Sequence, residues 1–134
     1  MTKLSLKDMV IQEYNPLGDV VIYSPKEDKN EIKIGRARSN DIAIPERGYR
    51  DEDIDKIALT MSREHCTVKY DGSNFIIYDK VGNKKSTLGT YVNRNKVSEK
   101  GVVLKNKDKL KLGSYKLEVI IEKDEELKLA PVKK

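Results

Sequence analysis

Cysteine occurs once in the 134 residues, as Cys66, so no disulfide can form within the chain. Tryptophan is absent, and phenylalanine and histidine occur once each. A single histidine removes every catalytic or metal site that needs two. No apolar run approaches the roughly 18 residues of a membrane helix. No N-terminal stretch joins a basic start to an apolar run of signal-peptide length. These absences set the expectation of a cytoplasmic protein with no membrane partner. An excess of one charge is also missing: 27 basic residues are interleaved with 22 acidic ones, for a net charge of +5. A nucleic-acid binder usually concentrates its cations on one stripe and adds exposed aromatics, so the composition argues against one. The chain has no Gly-rich phosphate loop, no G-x-S-x-G elbow and no cluster of metal ligands. The expectation is therefore a protein that is not an enzyme and carries no cofactor and no metal.

What is present is a rhythm of short apolar runs. MVIQEY (9–14), DVVIY (19–23), EIKIG (31–35), DIAI (41–44) and HCTVKY (65–70) alternate or cluster apolar residues over strand lengths. NFIIYD (74–79), TYVN (90–93), DKLKLG (108–113) and YKLEVII (115–121) continue the pattern, with Gly, Asn, Asp and Pro in the gaps. About ten short strands in a chain of one-domain length predict an all-β sandwich. Asp71-Gly72 reads as a two-residue turn joining 65–70 to 74–79, and 45–61 reads as a long loop with a helical turn near its end. Residues 122–134 alternate charges around Pro131 and read as a tail or linker beyond a domain spanning 1–121.

Three clusters stand at the ends of predicted strands. They are Gly35-Arg36, then Ser62-Arg63-Glu64-His65, then Ser86 to Asn93 with the sequence STLGTYVN. In that order, with strands between, they resemble the signature of the forkhead-associated (FHA) family: G-R, then S-x-x-H, then T-x-G-T-x-x-N. The resemblance covers roughly residues 9–121. It implies a β-sandwich of about eleven strands with binding loops at one end and a phosphothreonine-containing protein or peptide as partner in signalling or regulation; the chain is expected to be a monomer.

Such a ligand is close to a dianion with three acceptor oxygens, so its receptor needs a fixed guanidinium and several neutral donors. Arg36 is the candidate guanidinium, with Gly35 before it allowing close backbone approach. Taken alone, an arginine at a strand end is a solvated side chain; the ordered set reverses that reading. By resemblance, Ser62 and Thr87 give hydroxyl donors from two loops and Arg63 a second contact. Alone, each would be an ordinary turn or loop residue. A family asparagine at position 63 could also accept from peptide backbone, which Arg63 cannot. His65 is read as a buttress of the binding loops, not as the base of a catalytic pair. Asn93 is expected to tie loop backbone together, and Gly89 and Thr90 to shape that loop.

Two positions depart from the family. Leu88 stands where an asparagine usually grips ligand backbone, which makes it a candidate ligand contact of a different kind. Arg94 replaces a common glycine, with Asn95 expected to take the positive-φ position of that turn. Residues 80–85 read as an insertion whose Lys80, Lys84 and Lys85 oppose the acidic Asp51, Glu52, Asp53 and Asp55, so ligand charge should matter. Asp51-x-Asp53-x-Asp55 resembles the start of a calcium loop but fails at Lys56 and Ser62, where Gly and Glu are needed. Two rival readings stay open: an FHA-like scaffold that binds partners without phosphate, and a basic nucleic-acid-binding β-domain.

Overall fold

The computed structural model describes residues 9–14, 20–24, 30–44 and 56–121. Among them the chain forms β1 (Met9–Tyr14), β2 (Val20–Tyr23), β3 (Glu31–Gly35), β4 (Ile42–Ala43), β5 (Cys66–Tyr70) and β6 (Phe75–Tyr78). There follow β7 (Lys80–Val81), β8 (Lys84–Lys85), β9 (Thr90–Val92), β10 (Asn95–Lys96), β11 (Val102–Leu104), β12 (Lys109–Leu112) and β13 (Tyr115–Ile121). Six strands make one sheet in the order β10-β9-β12-β13-β1-β2, and five make the other in the order β11-β6-β5-β3-β4. The eleven strands of the two sheets are the sandwich that the sequence led us to expect. The β7–β8 hairpin stands apart from both. The acidic segment and the tail beyond 121 lie outside the described residues.

Period-two burial explains why these runs become strands. Over residues 31–34 of β3 and along β12 the buried residues (Ile32, Ile34, Leu110, Leu112) alternate with exposed ones, as a sheet with one wet face requires. Met9, Ile11, Val68, Ile77 and Val119 join them in one core drawn from both sheets. Burying a side chain of this size contributes about 1.5–3 kcal/mol, so the core does the work that disulfides do in smaller folds.

β3 and β4 run parallel, with Ile34 opposite Ile42 and Gly35 opposite Ala43. A parallel pair needs a crossover, and here it is residues 36–41. Buried Asn40 pins it by donating Nδ2–H to the carbonyls of Ala37 and Arg63, both at 2.7 Å. The peptide N–H of Ala37 also reaches the Arg63 carbonyl, at 3.0 Å.

Two turn expectations need correction, and one insertion takes a regular form. The β5–β6 turn is centred on Gly72-Ser73, one residue later than read, because the Asp71 carboxylate accepts the N–H groups of Ser73 and Asn74 at 2.9 and 2.8 Å. Asp71 thus closes the turn from outside it. Residues 80–85, read as an insertion, form the β7–β8 hairpin, Lys80 opposite Lys85. In the β9–β10 turn the positive φ falls on Asn93 (48°) and Arg94 (77°), not on Asn95, which pairs with Val92 in β10. Two consecutive positive-φ residues match the right-handed twist of a tight hairpin.

Candidate functional site

Arg36 follows β3, Ser62 and Arg63 precede β5, and Thr87 precedes β9. The fold brings these loops together around a groove of about 740 Å3. The first two are stitched by backbone: Arg36 N–H donates to the Ser62 carbonyl at 3.1 Å, and His65 N–H to the Ile34 carbonyl at 2.9 Å. Gly35 makes that approach feasible. A Cβ built on it would lie 2.3 Å from the Arg63 carbonyl oxygen, so the close approach is by the protein's own backbone.

The Arg36 side chain is half-buried, and its Nε–H donates to the Met61 carbonyl at 3.1 Å. A guanidinium has five N–H donors in a planar fork. Fixing Nε orients the plane and leaves the four donors of the terminal nitrogens without a partner among the described residues. Ser62 Oγ accepts the Thr87 N–H at 3.0 Å, which ties the second loop to the third and leaves the Ser62 hydroxyl proton available. Thr87 is exposed, and its hydroxyl makes no hydrogen bond among the described residues.

His65 is fully buried beneath this junction. Its Nδ1 accepts the Ser62 N–H at 2.9 Å, and its Nε2 lies 2.9 Å from the Gly89 carbonyl. Because Nδ1 can accept only when unprotonated, the proton sits on Nε2 and is donated to Gly89. Burial pushes the pKa of His65 below its ordinary value, against smaller opposing effects of the Gly89 carbonyl and the Asp79 charge. The ring is thus a neutral two-ended clamp. Burial also raises the Cys66 thiol far from thiolate formation, which makes it inert.

The third loop has a second anchor that sequence reading missed. Asp79 Oδ1 accepts the hydroxyls of Ser86 at 2.5 Å and Thr90 at 2.6 Å. Ser86 Oγ in turn accepts the Gly89 N–H at 2.9 Å, holding Gly89 at φ 92°, a conformation glycine adopts without strain. An aspartate ending an apolar strand carries no distinguishing sequence signal; only the fold shows what it holds. Asn93 is placed elsewhere. Its side chain accepts the Lys109 N–H at 2.9 Å and donates to Asp108 at 2.8 Å, so it ties the β9–β10 turn to the start of β12 rather than touching loop 86–89.

Among the described residues, Arg36, Arg63, Lys84 and Lys85 line the groove against one acid, Glu64. Lys85 also lies 3.8 Å from Glu99 in an exposed pair, which is worth little. Leu88 and Leu59 line it too, and stand 51% and 70% exposed. The site is an open cationic groove with one oriented guanidinium, free hydroxyls and two apolar side chains.

A family model described as FHA domain matches residues 32–113. Among solved structures, the FHA domain of an Arabidopsis thaliana hypothetical protein is 25% identical with a TM-score of 0.60, covering 92% of this chain and 93% of that one. The yeast Dun1 FHA domain, solved with a doubly phosphorylated (pT) peptide derived from Rad53, is 22% identical with a TM-score of 0.57, over 89% and 74% of the two chains. An FHA domain from a study of phosphothreonine-dependent FHA domain interactions is 22% identical with a TM-score of 0.57, over 86% and 97%. No curated protein sequence matches the chain.

Proposed function

The chain belongs to the forkhead-associated (FHA) domain family, and we propose that it is a binding module that captures a partner protein through a phosphothreonine and performs no chemistry of its own. The observation that carries this reading is the state of Arg36. Its Nε is committed to the Met61 carbonyl, while the remaining donors face a groove that, among the described residues, holds three more cations and one acid.

In this reading the terminal nitrogens of Arg36 give two parallel bonds to phosphate oxygens. A charge-assisted hydrogen bond of this kind is worth about 1.5–3 kcal/mol. Ser62 donates its free hydroxyl proton to the third oxygen, Thr87 closes from the facing loop, and Arg63 adds a second positive charge at the rim. Hydroxyls serve here because they satisfy phosphate oxygens without another charge to desolvate. His65 and Asp79 touch no ligand; they hold the loops in place beforehand, which lowers the ordering cost of binding. The phosphothreonine-dependent interactions studied for one relative and the doubly phosphorylated (pT) peptide bound by the Dun1 domain support the same reading.

The test is a titration of phosphothreonine, phosphoserine and unmodified versions of one peptide library. The reading requires phosphothreonine peptides to bind and their unmodified counterparts not to. Binding that ignores phosphate would instead fit a phosphate-independent scaffold.

A further inference from the structure

The outer face of the six-stranded sheet carries a row of side chains that the groove does not use. Across four neighbouring strands the register sets Lys96 opposite Tyr91, Tyr91 opposite Lys111, and Lys111 opposite Lys116. All three lysines are exposed. Like charges placed directly opposite one another weaken a sheet. Yet among the described residues no carboxylate pairs with Lys96, Lys111 or Lys116, nor with Arg94 in the adjoining turn. The next row shows what the same two strands do with an acid: Lys109 and Glu118 face each other and bond at 2.6 Å. An acid opposite lysine is accommodated there and withheld here.

The row is not remote from the groove. A Cβ built on Gly89 would lie 3.2 Å from the Tyr91 ring and 3.4 Å from the Lys96 side chain, so the row begins against the loop that carries Thr87 and Leu88. Three steps between strands span about 14 Å, which an extended peptide of about four residues crosses. A depression of about 630 Å3 lined by Tyr91, Arg94, Lys111 and Lys116 lies along it. Lys111 Nζ sits over the Tyr91 ring, 4.9 Å from its centroid. That ring face is occupied, which favours a carboxylate-bearing chain over a stacked nucleobase.

We propose that this row binds an acidic segment of the same partner, continuous with its phosphothreonine. The proposal rests on the phosphothreonine reading of the groove and adds the class of partner: one whose phosphorylated site adjoins a run of Asp or Glu.

The experiment uses labelled peptides with a single phosphothreonine flanked by a glutamate tract on one side or the other, matched peptides with glutamine in the tract, and unphosphorylated glutamate peptides. Binding at low salt is measured by fluorescence anisotropy on wild type, Arg36→Ala and the double variant Lys111→Gln, Lys116→Gln. Removing opposed like charges should leave the double variant folded. Wild type should prefer one glutamate phosphopeptide over its glutamine match by about fivefold or more, at about two- to fivefold per lysine engaged. The double variant should bind the two within about twofold and keep wild-type affinity for the glutamine peptide. An equal glutamate preference in the double variant, or none in wild type, overturns the proposal while leaving the phosphothreonine reading intact.

If wild type binds no phosphopeptide, the phosphothreonine reading fails. The unphosphorylated glutamate peptide then decides: amide shifts at Lys111 and Lys116 keep the row as an acidic-segment site, and their absence overturns it. A short oligothymidylate that displaces the glutamate peptide from wild type, and loses its own binding in the double variant, would assign the row to nucleic acid and overturn the proposal.

Discussion

The Ser62 N–H donates to Nδ1 of His65 at 2.9 Å, and this bond decides where the histidine proton resides. With Nδ1 filled, Nε2–H must face the Gly89 carbonyl. The loop before β5 and the loop before β9 are therefore joined through a ring that reaches neither solvent nor groove. Protonating Nδ1 would turn an acceptor into a donor aimed at another donor, so the clamp holds only while His65 is neutral.

Two expectations follow for His65. His65→Ala leaves the Ser62 N–H and the Gly89 carbonyl without a partner, and should lower unfolding stability by about 2–5 kcal/mol in denaturant titrations. The pH dependence has a definite sign. A folded-state pKa below the ordinary value means the unfolded chain binds more protons between the two, so stability rises with pH there. The contribution of His65 should be complete above about pH 6.5 and decline as the pH falls below it. Thermal melts of wild type and a folded His65→Gln variant should diverge above that pH and converge below it. Parallel profiles would remove the clamp.

Asp79→Ala should loosen the third loop. It removes the common acceptor of Ser86 and Thr90 and leaves the buried Thr90 hydroxyl without that partner. A stability loss of about 2–4 kcal/mol is expected for two charge-assisted bonds in a half-buried setting. Faster amide exchange at Gly89 and Thr90, with little change at β11, would localise the effect. Unchanged exchange at both would show that Asp79 does not order the loop.

Much of this arrangement was legible beforehand, and what was not has identifiable causes. Ile32 and Ile34, or Leu110 and Leu112, announce strands because alternate positions must be apolar when one face is buried. Asn95–Lys96 and Lys84–Lys85 announce nothing: both residues of each strand are exposed, and backbone pairing alone defines them. Val102–Leu104 is only three residues long between Gly101 and Lys105, too short for a period to show. Arg36, Ser62 and Thr87 could be picked out because they stand in an ordered signature. Asp79, Asn40 and the Met61 carbonyl could not, since each acts through a contact with residues distant in sequence.

Leu88 offers a test of how the groove holds peptide backbone. Its side chain is 51% exposed and adds nothing to the core, so Leu88→Asn should change stability by no more than about 0.5 kcal/mol. An amide can both donate to and accept from ligand backbone, so the variant should bind a phosphothreonine peptide more tightly by about 0.5–1.5 kcal/mol. Calorimetry on the two proteins checks this. A clear weakening would show that Leu88, with Leu59, forms an apolar subsite.

Arg36 lines the groove with its guanidinium plane fixed by the Nε–H bond to the Met61 carbonyl. Arg36→Ala removes that fork but keeps the backbone bond from residue 36 to the Ser62 carbonyl, so the domain should remain folded. Titration calorimetry of the folded variant with the best phosphothreonine peptide is the most direct measurement. An affinity loss of about 2–5 kcal/mol is predicted, the range for truncating one side of a buried charged pair; binding within about twofold of wild type would contradict the account.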